Sequence, residues 1–442
     1  MEFLLEIMTE ELPSAHVMAA LAQLGERFSQ EMKTSGLEAS GLRVLGTCRR
    51  LVLVADLGAG QPDQEEIVTG PPRSAGIASD GSFTQAAFGF ARSHGVSVEE
   101  LQVVKTARGE YLGLKRLKKG KSTPEILMNK LPALVASLSF PKTMRWADKS
   151  FRFSRPIKGL LCLFDQQVVR ISLEGLMSSN KTSGHFIHSP LKLAVSNYQE
   201  YYQALKDNFV LVDPAERKQR ILDQFYEKLT GLKAHVYPDD RLLERLLWNV
   251  EYPLVVMGSF PDSYLSLPLE VLSTAMREGQ QLFSVVKGKK QLPYFLGIAD
   301  APSDPKNYIV SGNERVLKAR LEDARFFWEN DLKISLSERV NQLSEVVFQE
   351  KLGSYGDKVT RLQELVSYIS ERLGWRNLKK DLIEAARLSK ADLLTEMVRE
   401  FPERCDRLGP DQRIEAVQRL VQEQYVGLVR QRLRQPDPLP HT

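Results

Sequence analysis

At 442 residues the chain is too long for one hydrophobic core, and roughly two to four domains are expected. Its 43% hydrophobic and 26% charged residues suit an ordinary globular protein and exclude fibrous or disordered classes. With 60 Lys and Arg against 56 Asp and Glu, the net charge is only +4, so any surface for nucleic acid must be local. The cysteines, Cys48, Cys162 and Cys405, are far apart and form no CxxC pair. That argues against a disulfide framework or a zinc site and fits a reducing cytoplasm. The N-terminus is acidic where a signal peptide needs a basic region. No apolar run reaches the roughly 18 residues of a membrane span, so a cytoplasmic chain with no membrane contact is expected.

Met1 to Val17 reads as a short apolar strand, Phe3-Leu4-Leu5, that breaks into an acidic cluster of Glu6, Glu10 and Glu11 and stops at Pro13. Ser14 to Lys33 has apolar residues near helical spacing, with Gly36 beyond its end. Leu51 to Val54 is a β-rich run. Residues 58–82, rich in Gly and Pro, read as a loop-rich connection. A helix over Thr84 to His94, strands over 101–106 and 110–116, a basic turn over Lys115 to Lys121 and an amphipathic helix over Pro124 to Leu138 follow. Residues 151–195 alternate strands with turns. Tyr198 to Leu205, Pro214 to Leu229 and Arg241 to Val250 look helical, and 251–311 returns to strands. After Arg315 nearly everything is helical: 315–332, 336–352, 356–373 and 379–399 each show periods near 3.6. The fold class expected is multidomain α+β, a mixed α/β N-terminal region followed by an all-α region. A further amphipathic helix is expected over 412–434.

Arg49-Arg50 precede the strand at Leu51, where paired arginines can hold phosphates through bidentate, salt-sensitive contacts or stand as a solvated pair. Met144-Arg145-Trp146 and Phe151-Arg152-Phe153-Ser154-Arg155-Pro156 interleave arginine with aromatics. Guanidinium suits phosphate and a ring face suits an unstacked base, while alternation of Phe151 and Phe153 fits a strand with one buried face. The combined reading puts the aromatics in the core and Arg145, Arg152 and Arg155 at RNA. His185 and His188 lack a third ligand at metal spacing and read as hydrogen-bonded turn histidines. Asn313 is a candidate helix cap, Glu314 would suit the positive helix end, and Phe326, Phe327 and Trp328 are candidate core residues. There is no phosphate-cradling G-x-x-x-x-G-K-[ST], no G-x-G-x-x-G, no nucleophile elbow and no H-E-x-x-H, so no catalytic residue is assigned.

Several blocks together resemble the beta subunit of the bacterial two-subunit glycine–tRNA ligase. The opening is similar to that family's LLEIGTEELP, and Gly312 to Leu321 to its GNERVLRARL. Thr47 to Leu51 resembles its TPRRL block with Cys48 in place of proline, and residues 144–157 resemble MRW…FRFVRPI. Gly184 to His188 resembles GHRFH with Phe186-Ile187 for Arg-Phe, whereas at Glu278-Gly279 the family's histidines are absent. Glu350 to Lys358 resembles the start of its HD-like helical domain, without a His-Asp dipeptide, and Ser389 to Glu403 matches well.

The resemblance implies an organisation. Residues 1–60 would be an N-terminal α/β segment, 61–330 a mixed α/β body contacting tRNA, 331–403 the start of a helical HD-like domain, and 404–442 a divergent tail, with a C-terminal anticodon-binding domain missing. It also implies a function. An alpha subunit would activate glycine with ATP and magnesium, this chain would bind no cofactor or metal, and the two would assemble as alpha2beta2 on tRNA(Gly). The tRNA contacts implied are Arg49, Arg50, Arg145, Arg152 and Arg155. The alternative is a truncated RNA-binding or interaction module without ligase activity; a phosphohydrolase is poorly supported because the metal ligands are lacking.

Overall fold

The computed structural model describes residues 1–79, 81–106, 109–145 and 151–400. Trp146, Cys405 and the helix expected over 412–434 lie outside them. Contacts divide the chain into two compact bodies. The first holds residues 1–220, 244–253 and 300–302, and the second holds 221–243, 254–299 and, of the described residues, 303–400.

The first body is built on β1 (Glu2–Thr9), α1 (Ser14–Thr34), β2 (Ala39–Thr47) and β3 (Arg50–Leu57). An outlying module follows, with β4 (Gln64–Pro72), the single turn α2 (Arg73–Gly76), α3 (Gln85–Ser93), β5 (Gln102–Thr106) and β6 (Gly109–Lys118). Then come α4 (Thr123–Ser137), β7 (Met144–Arg145), β8 (Arg152–Phe153), β9 (Ile157–Phe164) and β10 (Gln167–Val168). Short strands β11 (Ser172–Leu173), β12 (Leu176–Met177), β13 (Lys181–Ser183) and β14 (Lys192–Ala194) lead to α5 (Tyr198–Asp207).

The main sheet has the order β10-β9-β1-β3-β2, and its pairs are antiparallel. β1 lies in the middle, so its side chains alternate between two buried faces. Phe3, Leu5 and Ile7 join Leu51, Leu53 and Cys162 against Val17, Leu24 and Phe28 of α1 and Leu127 and Leu131 of α4. On the opposite face Leu4 joins Val52, Val54, Leu161 and Leu163 against Tyr201 and Leu205 of α5 and Val210 and Val212. Glu6 shares the parity of Leu4, so a carboxylate enters that second core. Because β1 pairs with β9, the domain division expected at residue 60 runs through this sheet.

The segment expected to be loop-rich, 58–82, contains the nine-residue strand β4. Its Gly and Pro residues gather at the strand end, where the pairing with β6 shifts register between Thr69 and Pro72. β4 is an edge of the sheet β4-β6-β5, the place where a strand tolerates proline. This module has its own small core of Ala87, Ala91, Val98, Leu101, Leu112 and Leu114.

The chain enters the second body within α6 (Pro214–Thr230) and continues through β15 (His235–Val236) and α7 (Asp240–Leu247), whose last residues return to the first body; then come β16 (Pro253–Ser259), α8 (Leu269–Gln280), β17 (Phe283–Lys287) and β18 (Lys290–Asp300). The sheet order is β15-β17-β18-β16. α8 was not expected; it starts directly after Pro268, inside a stretch read as strands, and buries Leu272, Ala275 and Met276. It packs on Leu317, Leu321, Ala324 and Trp328 of α9 (Tyr308–Lys333).

The expected cap Asn313 therefore sits inside α9. Asp304 instead accepts from the backbone N–H groups of Tyr308, Ile309 and Val310 at 2.9, 3.0 and 3.2 Å. Glu314 accepts from Ser259, and Phe326 is 59% exposed, so of the expected aromatic triplet only Trp328 is buried. Within 336–352 the helix is short: α10 (Leu336–Arg339) gives way to a 3-10 turn and the hairpin β19 (Val347–Gln349) with β20 (Gly353–Ser354). α11 (Tyr355–Arg372), α12 (Lys379–Leu388) and α13 (Glu396–Glu400) complete the region. The chain is thus multidomain α+β, mixed in its N-terminal part and largely helical from α9 onward.

Candidate nucleic-acid interface

The β2–β3 hairpin turn sets the fates of the two adjacent arginines apart. Arg49 lies in the turn, and Arg50 opens β3 opposite Thr47 and Met8. Sharing the parity of Val52, Arg50 points into the second core of the first body. Its Nη1 donates to Glu6 Oε1 at 3.0 Å and its Nε to Glu251 Oε1 at 2.9 Å. Thr182 and Tyr201 also donate to Glu6 Oε1, at 3.0 and 2.8 Å, and Thr47 donates to Glu251 Oε1 at 2.7 Å. Arg50 Nη2 reaches the Gly184 carbonyl. Burial opposes the Arg50 charge, but the carboxylates of Glu251 and Glu6 outweigh it and hold its pKa above the ordinary value. Burial, followed by the charge of Glu6, pushes the Tyr201 hydroxyl well up, so it stays a donor. Arg50 is 3% exposed and its donors are committed inside the protein. Its sequence reading as a surface phosphate contact, or as half of a solvated pair, is corrected: it is a structural cation.

Sequence reasoning missed Arg217, which is fully buried and, among the described residues, donates to the backbone carbonyls of Gly46, Leu211 and Leu247. Burial lowers its pKa to about 10. His185 is likewise fully buried. Its Nδ1 accepts from the backbone N–H groups of Ile187 and His188 at 3.3 and 3.2 Å, which leaves Nε2 as the protonated nitrogen, 3.2 Å from Asp300 Oδ2. It is the hydrogen-bonded turn histidine read from sequence. Among the described residues no group of His, Cys, Asp or Glu is placed to hold a metal.

The other candidate arginines gather along one edge of the first body. Arg49 Nη1 meets Glu10 Oε2 at 3.3 Å, its Nη2 meets Glu11 Oε2 at 3.4 Å, and its guanidinium lies 3.7 Å from the centroid of the Phe186 ring. Lys158 Nζ reaches Glu10 Oε1 at 3.0 Å. The Lys158 hydrogen bond leads the causes that hold the Glu10 carboxyl below its usual range, with the Lys158 and Arg49 charges adding to it against a burial effect. Arg155 Nε donates to the Glu11 carbonyl at 3.3 Å and its Nη1 approaches Met144 Sδ at 3.6 Å. Beside Met144, Arg145 on β7 stands opposite Arg152 on β8. Both are exposed, while Phe151 and Phe153 are buried, as the alternation required. Like charges directly opposite on a ribbon repel, and an anion laid across them removes the repulsion.

A family model described as the glycyl-tRNA synthetase beta subunit matches residues 3–409. The glycine–tRNA ligase beta subunit of Trichlorobacter lovleyi is 42% identical over 404 residues, 91% of this chain and 59% of that protein. The namesake from Syntrophotalea carbinolica is 41% identical over 408 residues, with the same shares, and that from Desulforudis audaxviator 40% over 433 residues, 96% of this chain and 63% of its own. The chain spans about three-fifths of the length of these curated relatives.

Proposed function

Because this chain belongs to the glycyl-tRNA synthetase beta subunit family, we propose that it serves as the tRNA-contacting subunit of a glycine–tRNA ligase. In this reading a separate alpha subunit carries out the activation of glycine with ATP and magnesium. The two kinds of chain assemble as alpha2beta2 in the cytoplasm, and glycine, ATP and tRNA(Gly) give glycyl-tRNA, AMP and pyrophosphate. This chain's part is to hold the tRNA. The beta-subunit name of the family and of the relatives supports a division of labour with a second kind of chain.

The observation that carries the RNA reading is the clustering of Arg49, Arg155 and Lys158 at one end of the main sheet, with Arg145 and Arg152 on the β7–β8 ribbon that Arg155 touches through Met144. Arg145 and Arg152 present guanidinium forks outward for bidentate phosphate contact. Arg155 is held by the Glu11 carbonyl and Met144, so little side-chain freedom is lost when an anion arrives. Arg49 is engaged by Glu10 and Glu11 and shapes the surface as well as charging it.

The experiment is co-purification with a bacterial alpha subunit, followed by tRNA binding to the complex and to this chain. Complex formation and binding of tRNA(Gly) that weakens when Arg145 and Arg152 are replaced support the reading. A chain that binds RNA but no alpha subunit is an RNA-binding module without ligase activity.

A further inference from the structure

Phe186 and Ile187 are consecutive large apolar residues on a turn of the first body, 44% and 63% exposed, and nearby Leu191 is 60% exposed. The turn is not loose. Buried His185 accepts the N–H groups of Ile187 and His188, its own backbone N–H donates to the Asn208 carbonyl at 2.9 Å, and its Nε2 faces Asp300. The Arg49 guanidinium lies over the Phe186 ring, and the His185 ring is 5.1 Å away, tilted by 34°. The ring is therefore fixed in place with one face under the guanidinium, and it keeps 44% of its surface exposed. Along the rim of the same guanidinium stand the carboxylates of Glu10 and Glu11, 43% and 61% exposed at their side chains. Lys158 reaches Glu10, and Arg155 reaches the backbone of Glu11.

We propose that Phe186, with Arg49, Glu10 and Glu11, forms a site for one unpaired, amino-bearing base of RNA, cytosine or adenine. This inference rests on the RNA reading above and adds to it a strand state and a base class. An exposed aromatic ring offers stacking to any unstacked base, and an adjoining arginine strengthens it. The carboxylates supply selection: a carboxylate accepts from an exocyclic amine such as the N4 of cytosine, which uracil lacks. Lys158 and Arg155 lie where the flanking phosphates would be met. A duplex cannot use this site, because its bases are stacked on each other.

The test is fluorescence anisotropy with labelled oligo(C), oligo(U) and an RNA duplex, on the full chain and on Phe186→Ala, Phe186→Trp and Arg152→Ala. The site predicts tighter binding of oligo(C) than of oligo(U). It also predicts a loss of at least about fivefold in oligo(C) affinity for Phe186→Ala, retention for Phe186→Trp, and no change in duplex affinity for either. Equal oligo(C) binding by wild type and Phe186→Ala, with Arg152→Ala still weakening all ligands, overturns the base site and leaves the RNA reading intact. Failure of every ligand, tRNA included, to bind overturns both. Equal loss of oligo(C) and duplex binding in Phe186→Ala assigns the residue to folding and overturns the site.

Discussion

Replacing Arg50 by Met removes the only cation hydrogen-bonded to Glu6 and Glu251 among the described residues. Glu6 keeps the hydroxyl donors Thr182 and Tyr201, and Glu251 keeps Thr47, so neither carboxylate is stripped bare. Both stay fully buried, however, with their negative charge no longer offset by a guanidinium. Breaking a buried pair from one side costs about 3–5 kcal/mol. Here the attachment is to two carboxylates, so the upper half of that range is expected. Native-state hydrogen exchange at the amides of β1 and β3 reads this body by itself. Protection there should fall by roughly three to three and a half orders of magnitude, since a tenfold change is about 1.36 kcal/mol. Adding Glu251→Gln to Arg50→Met should return part of the loss, because the two residues are directly bonded and their effects do not add. Arg49→Met, one residue earlier, breaks half-exposed pairs with Glu10 and Glu11 and the contact over Phe186, and should change protection by no more than about 2 kcal/mol. A fall below tenfold for Arg50→Met would refute the reasoning that Arg50 is the structural cation of the second core.

Losing a single phosphate contact should lower the salt slope of tRNA binding by about 0.7–0.9, so Arg145→Ala and Arg152→Ala should each do so, measured by filter binding from low to moderate salt. Burial and then the charge of Arg155 hold the half-buried His16 imidazole below its ordinary value. A depressed folded value gives stability that is present above the unfolded pKa of about 6.5 and lost as pH falls through the folded one. Arg155→Ala should therefore raise the His16 pKa in an NMR titration and shrink that pH dependence; an unmoved titration would contradict the contact. Cys48 and Cys162 are buried, and burial raises both thiols, so in the native chain both should resist iodoacetamide until denaturant is added.

The strands and helices that organise the first body were largely legible in the sequence because their apolar periods are clear. β3, α1, α4 and α5 fall where Leu51 to Val54, Ser14 to Lys33, Pro124 to Leu138 and Tyr198 to Leu205 placed them. β4 was hidden because Gly70, Pro71 and Pro72 read as turn signals, although an edge strand can end on proline. The cap of α9 was misplaced because Asn313 has the right chemistry; Asp304, several residues earlier, makes the bonds.

The site was legible in part. The Phe-Arg-Phe alternation correctly sent Phe151 and Phe153 inward and Arg152 outward. Glu6 and Arg50 could not be separated from Glu10, Glu11 and Arg49 on residue type alone. Parity assigns Glu6 to one face of β1, but whether that face is buried depends on Tyr201 and Glu251, far along the chain. Arg217 gave no local signal at all, since its partners are carbonyls brought together only by the fold.

The central claim is that this chain supports glycine attachment through tRNA while the activation chemistry lies on another subunit. The measurement that tests it most directly is glycylation of tRNA(Gly) with ATP by a purified alpha subunit, by this chain, and by the two combined. Negligible product is expected from this chain alone, and the mixture should run well above the alpha subunit's own rate, reduced by the Arg145→Ala, Arg152→Ala double substitution. A mixture no faster than the alpha subunit alone, or glycine-dependent pyrophosphate exchange by this chain by itself, would contradict it.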